Sequence, residues 1–197
     1  LFVSSKGLSK KVALHPARIH RRQFLRLGFA AVSAIVFPPR LSAGVQNSAP
    51  PEKRLAFFKT HTCERLDVCY CTDGRYDARA LAEINHILRD HRTSEVSPIA
   101  TGLLDLLHTL SLRLDTPHPL HVISGYRSPG TNATLHRCNR GVASQSLHVY
   151  GKAIDIRVPG IQTLELRGIA LALAAGGVGY YPKSDFVHVD IGRVRSW

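Results

Sequence analysis

The chain is short of several things, and each shortage narrows what it can be. Of the apolar runs, the stretch from Leu27 to Phe37 is only 11 residues, whereas a bilayer-spanning helix needs about 20, so no stable membrane span is expected. Aromatic residues make up 7 % of the chain, too few to interleave with basic residues as in a nucleic-acid surface. No repeat recurs at solenoid spacing, and 11 Pro and 15 Gly without a period exclude a collagen-like or low-complexity chain. No Cys-x-x-Cys occurs. The first 43 residues contain no Asp or Glu at all.

That last absence reorganises the charge. The chain of 197 residues has 26 Lys+Arg and 14 Asp+Glu, for a net charge of +12. Eight of the basic residues (Lys6, Lys10, Lys11, Arg18, Arg21, Arg22, Arg26, Arg40) precede residue 44, which leaves +4 for everything after. A nucleic-acid binder needs a clustered basic face, and +4 spread over about 150 residues does not supply one. Within the basic segment, His20-Arg21-Arg22-Gln23-Phe24-Leu25-Arg26-Leu27 runs into the short apolar stretch, and small residues follow at Ser42-Ala43-Gly44 and Ser48-Ala49. A basic region, paired arginines and a brief apolar run describe a twin-arginine export signal. Residues 1–43 are therefore expected to engage the twin-arginine export machinery and deliver the chain to a periplasm. No Cys lies near the end of the signal, so a lipid anchor is not indicated. Residues 44–54, marked by Pro50-Pro51, read as a linker, and 55–197 as one domain with room for a single core.

Within that domain, residues 55–58 and 66–70 read as short strands with a turn between them, and Thr72-Asp73-Gly74 as another turn. Leu81, Ile84, Ile87 and Leu88 recur at helical spacing between Asp77 and His91, and residues 101–114 form a second, leucine-rich helix. A strand at 121–124 enters a polar loop. Another strand spans 152–158. Thr163 is expected to cap a helix running to Ala175, stopped by Gly176-Gly177. Strands at 178–181 and 186–191 finish the chain. This order predicts an α+β domain, an antiparallel sheet with flanking helices.

Two stretches carry chemistry. Ser146-Leu147-His148-Val149-Tyr150-Gly151-Lys152-Ala153-Ile154-Asp155 sets an imidazole seven residues before a carboxylate, across a glycine turn. Asp185-Phe186-Val187-His188-Val189-Asp190 is a strand on which His188 and Asp190 share a face opposite Val187 and Val189. His148, Asp155 and His188 make a three-ligand set for one zinc ion with a fourth position for water, which suits hydrolysis at neutral pH. A carboxylate must then accept the water's proton. Asp185, three residues before His188, is the candidate; Asp190 competes for that role or orients a ligand. Arg127, in the loop after the 121–124 strand, can fork onto a carboxylate or a developing oxyanion. Tyr126, Asn132 and Tyr180 are expected to line the cleft. Cys63, Cys69, Cys71 and Cys138 allow one bridge or free thiols and are not needed for the metal. The expected working unit is a monomer.

The Ser-x-His-x-x-Gly-x-Ala-x-Asp order resembles the signature of the D-Ala-D-Ala-type zinc peptidases of hedgehog-like fold. More closely, the chain resembles the murein endopeptidase K (YcbK-like) family. The pieces that carry the resemblance are Leu88 to Arg92, Ser124-Gly125-Tyr126-Arg127-Ser128-Pro129 with Asn132, Ser146 to Asp155, Gly176 to Pro182, and Phe186 to Asp190 with Arg193 to Trp197. The resemblance implies a zinc L,D-endopeptidase that cuts peptidoglycan cross-links between two meso-diaminopimelate residues (3-3 cross-links) during cell-wall growth, with His148, Asp155 and His188 as its ligands. A D,D-peptidase or carboxypeptidase of the same fold, and a non-catalytic zinc-containing wall-binding module, remain as alternatives.

Overall fold

A computed structural model of the chain describes residues 51–138 and 141–197; residues 1–43, expected to be an export signal, lie outside the described residues. Among the described residues, eight strands form one sheet in the order β3-β2-β1-β4-β5-β7-β6-β8. They are β1 (Glu52–Lys59), β2 (Arg65–Thr72), β3 (Arg75–Tyr76), β4 (Leu120–Ser124), β5 (Ala153–Arg157), β6 (Gly177–Tyr181), β7 (Phe186–Asp190) and β8 (Arg195–Ser196). Neighbours are antiparallel except β1 with β4 and β6 with β8. The α-helices of the described residues are α1 (Ala78–Ile87), α2 (Thr101–Leu114), α3 (Pro129–Cys138) and α4 (Thr163–Ala172). The α+β architecture with a mostly antiparallel sheet is the one the sequence predicts.

The sheet has a helix-covered face and an open face, and strand alternation sorts the side chains between them. Leu55 and Phe57 of β1, Ile154 and Ile156 of β5, and Val187 and Val189 of β7 are buried in the core. They meet Leu103, Leu104, Leu107 and Leu110 of α2, whose i, i+1, i+4, i+7 spacing makes one apolar stripe, while Leu112 on the other side stays 67 % exposed. Each fully buried leucine contributes about 1.5–3 kcal/mol relative to exposure. Asp77 starts α1 by accepting the Ala80 N–H at 2.8 Å, and Asp115 ends α2 in the left-handed region at φ 44°.

Three local expectations differ. β1 begins at Glu52, inside the segment read as a linker; Lys53 pairs in register with Cys71, and its ammonium reaches Asp105 at 2.9 Å. The polar loop after β4 contains α3, a helix with Pro129 at its first position, where the missing N–H costs no hydrogen bond. α4 is capped by Gln162 rather than Thr163, with no side-chain bond at the cap. The four cysteines are all free thiols. Among the described residues no helix is long and apolar enough to cross a membrane.

A β-bulge in β4 decides which face Ser124 occupies. Val122 pairs with Ile156 and Ser124 with Asp155, so Ile123 is the extra residue. Without it Ser124 would share Val122's core-facing side; with it Ser124 turns onto the open face beside Asp155.

Candidate metal centre

Asp155 and His188 come from adjacent strands in the middle of the sheet. β5 and β7 are in register with Asp155 opposite His188, so the carboxylate and the imidazole leave the same face side by side. His148 precedes β5 on a single tight helical turn, Leu147–Tyr150. Ser146 opens the turn by accepting the His148 N–H at 3.4 Å. Gly151 closes it at φ 62°, where a side chain would also strike the Pro98 carbonyl oxygen. The turn folds the seven-residue spacing back on itself and returns His148 to Asp155.

All three side chains are buried. His148 Nε2 lies 3.2 Å from Asp155 Oδ1 and 3.2 Å from His188 Nδ1, and His188 Nδ1 lies 2.9 Å from Asp155 Oδ1. The outer nitrogens are occupied: His148 Nδ1–H donates to the Gly125 carbonyl at 2.7 Å, and His188 Nε2–H donates to Asp190 at 3.0 Å. Each imidazole that spends its proton outward presents a lone pair inward. Two lone pairs and a carboxylate oxygen then face one another in a buried space, an arrangement that a cation resolves. A tetrahedral ion with bonds near 2.0–2.1 Å separates its ligand atoms by about 3.3 Å, close to what the three atoms adopt. Burial pushes the His148 pKa down despite Asp155. Burial would raise Asp155, but the charges and hydrogen bonds of His148 and His188 outweigh it and hold its carboxyl well below the usual range. Burial likewise lowers His188, and its hydrogen bonds to Asp155 and Asp190 reverse the direction. The donor set therefore fits a zinc ion.

Arg127 fixes the other half of the carboxylate. Its Nη2 donates to Asp155 Oδ2 at 2.6 Å and its Nε to Ser124 Oγ at 2.9 Å. This leaves Oδ1 alone to face the imidazoles and leaves Arg127 with further N–H donors. The loop that carries Arg127 is anchored by Asp90, which is 1 % exposed and accepts the backbone N–H groups of Ser128 and Arg92, both at 2.9 Å. Burial alone would raise the Asp90 pKa; donors from Thr131, Arg92 and Ser128 bring it down to about 2. A carboxyl depressed in the fold stabilises it above the unfolded pKa and loses that contribution as pH falls through the folded one. Asp90 is thus expected to contribute about 2 kcal/mol above pH ~4. Urea unfolding of the wild type and Asp90→Asn, measured from pH 6 to pH 2.5, should show the two stability curves converging at the acid end. Parallel curves would refute the assignment.

The remaining sequence-derived candidates fall in different places. Asp190 is fully buried and accepts from His188, from the Gly177 and Gly192 backbone N–H groups and from both terminal nitrogens of Arg195. That full set of donors makes it the group that holds His188. The structure does not bring Asp185 to the three ligand atoms: it sits in a left-handed turn at φ 51°, exposed, with Arg157 at 3.2 Å. Tyr180 pairs with Val187 on the helix-covered face, under Arg167 of α4, and does not face the cleft. Asn132 is buried and donates to the Ala143 and Ser144 carbonyls at 3.2 and 2.9 Å, fastening the chain that leads to His148. Tyr126 is 9 % exposed, its backbone N–H held by the Leu88 carbonyl.

Two residues not singled out individually in the sequence complete the centre. Trp197 sets its ring 5.3 Å from that of His188 and donates its indole N–H to the Tyr181 hydroxyl at 2.9 Å. Arg195 stacks on Trp197 at 4.8 Å while it grips Asp190. A side chain on Gly179, directly opposite His188, would collide with the indole. No local pattern announces these roles, because β8 reaches the site only by pairing with β6.

Comparison with known proteins gives one family and a set of close relatives. Residues 47–197 match the Peptidase_M15_2 family, described as peptidoglycan L,D-endopeptidase MepK. The peptidoglycan L,D-endopeptidase MepK of Escherichia coli (strain K12) is 40 % identical over 178 residues, which cover 90 % of this chain and 97 % of that protein. The probable peptidoglycan L,D-endopeptidase MepK of Haemophilus influenzae is 36 % identical over 179 residues, 90 % of this chain and 95 % of that protein.

Proposed function

The chain belongs to the Peptidase_M15_2 family and is a peptidase, and from that premise we propose that it is a zinc-dependent murein L,D-endopeptidase that opens 3-3 cross-links between meso-diaminopimelate residues. The observation that carries the metal is the convergence of two inward lone pairs and one carboxylate oxygen within 3.2 Å. His148 Nε2, Asp155 Oδ1 and His188 Nδ1 would hold one zinc per chain. Bound there, zinc would supply an activated water and a polarised scissile carbonyl. Arg127, anchored on Asp155 and Ser124, has donors left to meet the charge that develops on that carbonyl oxygen. Asp190 fixes the tautomer and the aim of His188. In this reading residues 1–43 are a twin-arginine leader and the enzyme acts in the periplasm on peptidoglycan.

Digestion of purified sacculi by the protein without residues 1–43, with muropeptides identified by mass, tests the reading. Loss of 3-3 cross-linked dimers that a chelator stops and added zinc restores is the expected result. Cleavage confined to 4-3 dimers, or release of terminal D-Ala, would assign a different bond. Zinc bound without any product would refute catalysis.

A further inference from the structure

A second row of side chains crosses the open face of the sheet one strand-step from the ligand row. The register sets Phe58 opposite Arg65 on one side and His121 on the other, His121 opposite Arg157, and Phe186 opposite Tyr181. Arg157 is two residues from Asp155, and Phe186 two from His188, so both rows share a face, roughly 7 Å apart. Ring contacts hold the row at each end. Arg65 lies 4.4 Å over the Phe58 ring, Phe58 is 4.7 Å from His121, and Phe186 stacks on Tyr181 at 4.6 Å. At its centre a pocket of about 310 Å³ is lined by His121, Arg157, Asp185 and the 158–161 turn.

The pocket sets one permanent cation, Arg157, beside one acid, Asp185. Burial, and after it the charges of Arg157, Arg65 and His118, depress the His121 pKa. Asp185 is the one acid lining the pocket, and its pair with Arg157 is loose, the two side chains being 41 % and 62 % exposed. An exposed ion pair of that kind is weak, so a carboxylate arriving from outside can take Arg157 in its place. Arg157, Phe58 and Phe186 have no part in holding the metal or in meeting charge on the scissile carbonyl.

We propose that this pocket is a substrate subsite in which Arg157 binds a free carboxylate of the acidic stem peptide, with Asp185 as its placeholder in the empty enzyme and the Phe58, Phe186 and Tyr181 rings as the platform beneath the peptide. The inference rests on the murein reading and deepens it: each diaminopimelate of a cross-link keeps a carboxylate a few bonds from the cleaved amide, on a scale that matches one strand-step. Binding, not bond-breaking, is what Arg157 contributes.

The test compares a 3-3 cross-linked muropeptide dimer with the same dimer carrying amidated diaminopimelate carboxylates. For the native dimer Arg157→Gln should raise KM about 10-fold or more, the loss of one charge-assisted hydrogen bond, with kcat within about twofold. For the amidated dimer, whose wild-type KM is already high, Arg157→Gln should change little. Asp185→Asn, which frees Arg157, should lower the native KM. An equal effect of Arg157→Gln on both dimers, or a fall in kcat alone, would overturn the subsite; so would loss of kcat in Asp185→Asn, which would make that carboxylate a participant in the chemistry. Wild-type enzyme that cuts neither dimer would overturn the murein reading, and the subsite with it.

Discussion

Asp155→Ala is expected to reduce kcat/KM on cross-linked murein by on the order of 10³-fold or more, the scale of a metal's several kcal/mol of transition-state stabilisation, and to abolish zinc binding at micromolar metal. Asp155 is the one anionic residue of the candidate ligand trio, and its two oxygens face different partners. Oδ1 faces His148 and His188, while Oδ2 receives Arg127 at 2.6 Å. Alanine removes the charge that offsets a dication and at the same time strands the Arg127 guanidinium, whose side chain is only 13 % exposed. An unpartnered buried charge costs several kcal/mol, so the metal-free variant should also unfold earlier than the metal-free wild type. Zinc discriminates the two effects. It should raise the wild-type Tm in proportion to the logarithm of its concentration over Kd and leave the Asp155→Ala Tm unmoved. Competition with a chromophoric chelator measures the same loss directly. A variant that retains one zinc per chain and wild-type turnover would refute the assignment of this carboxylate as a ligand.

How much of this centre is legible in the sequence depends on the range of the signal. The leucines of α2 and the alternation of β7 are local patterns, and both elements sit where their periodicity puts them. The convergence of His148, Asp155 and His188 is legible because His148 and Asp155 belong to one turn-and-strand unit and His188 to a strand whose alternation can be read. Asp185 misleads by sequence distance: three residues before His188 looks close, but a left-handed turn intervenes and aims the carboxylate at Arg157. Tyr180 misleads by parity, since the glycine before it, not the tyrosine, shares the face of His188. α3 hides behind Pro129, Gly130 and Thr131, poor helix formers that tertiary contacts override. Arg195 and Trp197 stand out only as part of a motif because their function exists only across the β6–β8 pair, and a parallel pairing 18 residues apart leaves no periodic trace. The bulge at Ile123, which turns Ser124 toward Arg127, likewise has no signature in the residues that form it.

The group that joins these non-local pieces is Asp190, and its removal should show how far the centre depends on them. Asp190→Ala withdraws one acceptor from five donors at once: His188 Nε2, the Gly177 and Gly192 N–H groups and the two terminal nitrogens of Arg195. Water cannot easily replace a carboxylate that is fully buried. The expected cost is about 3–5 kcal/mol, which for a domain of this size lowers Tm by roughly 10–15 °C. Asn is no remedy, because its amide nitrogen would point a donor at donors. Asp190→Asn should therefore recover part of the stability through its remaining oxygen and still weaken zinc affinity about 10–100-fold, the effect of losing the partner that sets a ligating imidazole's tautomer. Arg195→Ala makes the complementary cut. It leaves the His188–Asp190 bond in place but removes the grip that orients Asp190 and the cation beneath Trp197, so it should lower zinc affinity less than Asp190→Asn does. Thermal unfolding with and without zinc, together with chelator competition, orders the three variants. If Asp190→Asn bound zinc as tightly as the wild type, His188 would be held by its packing against Trp197 rather than by the carboxylate, and the indole would be the group to mutate next.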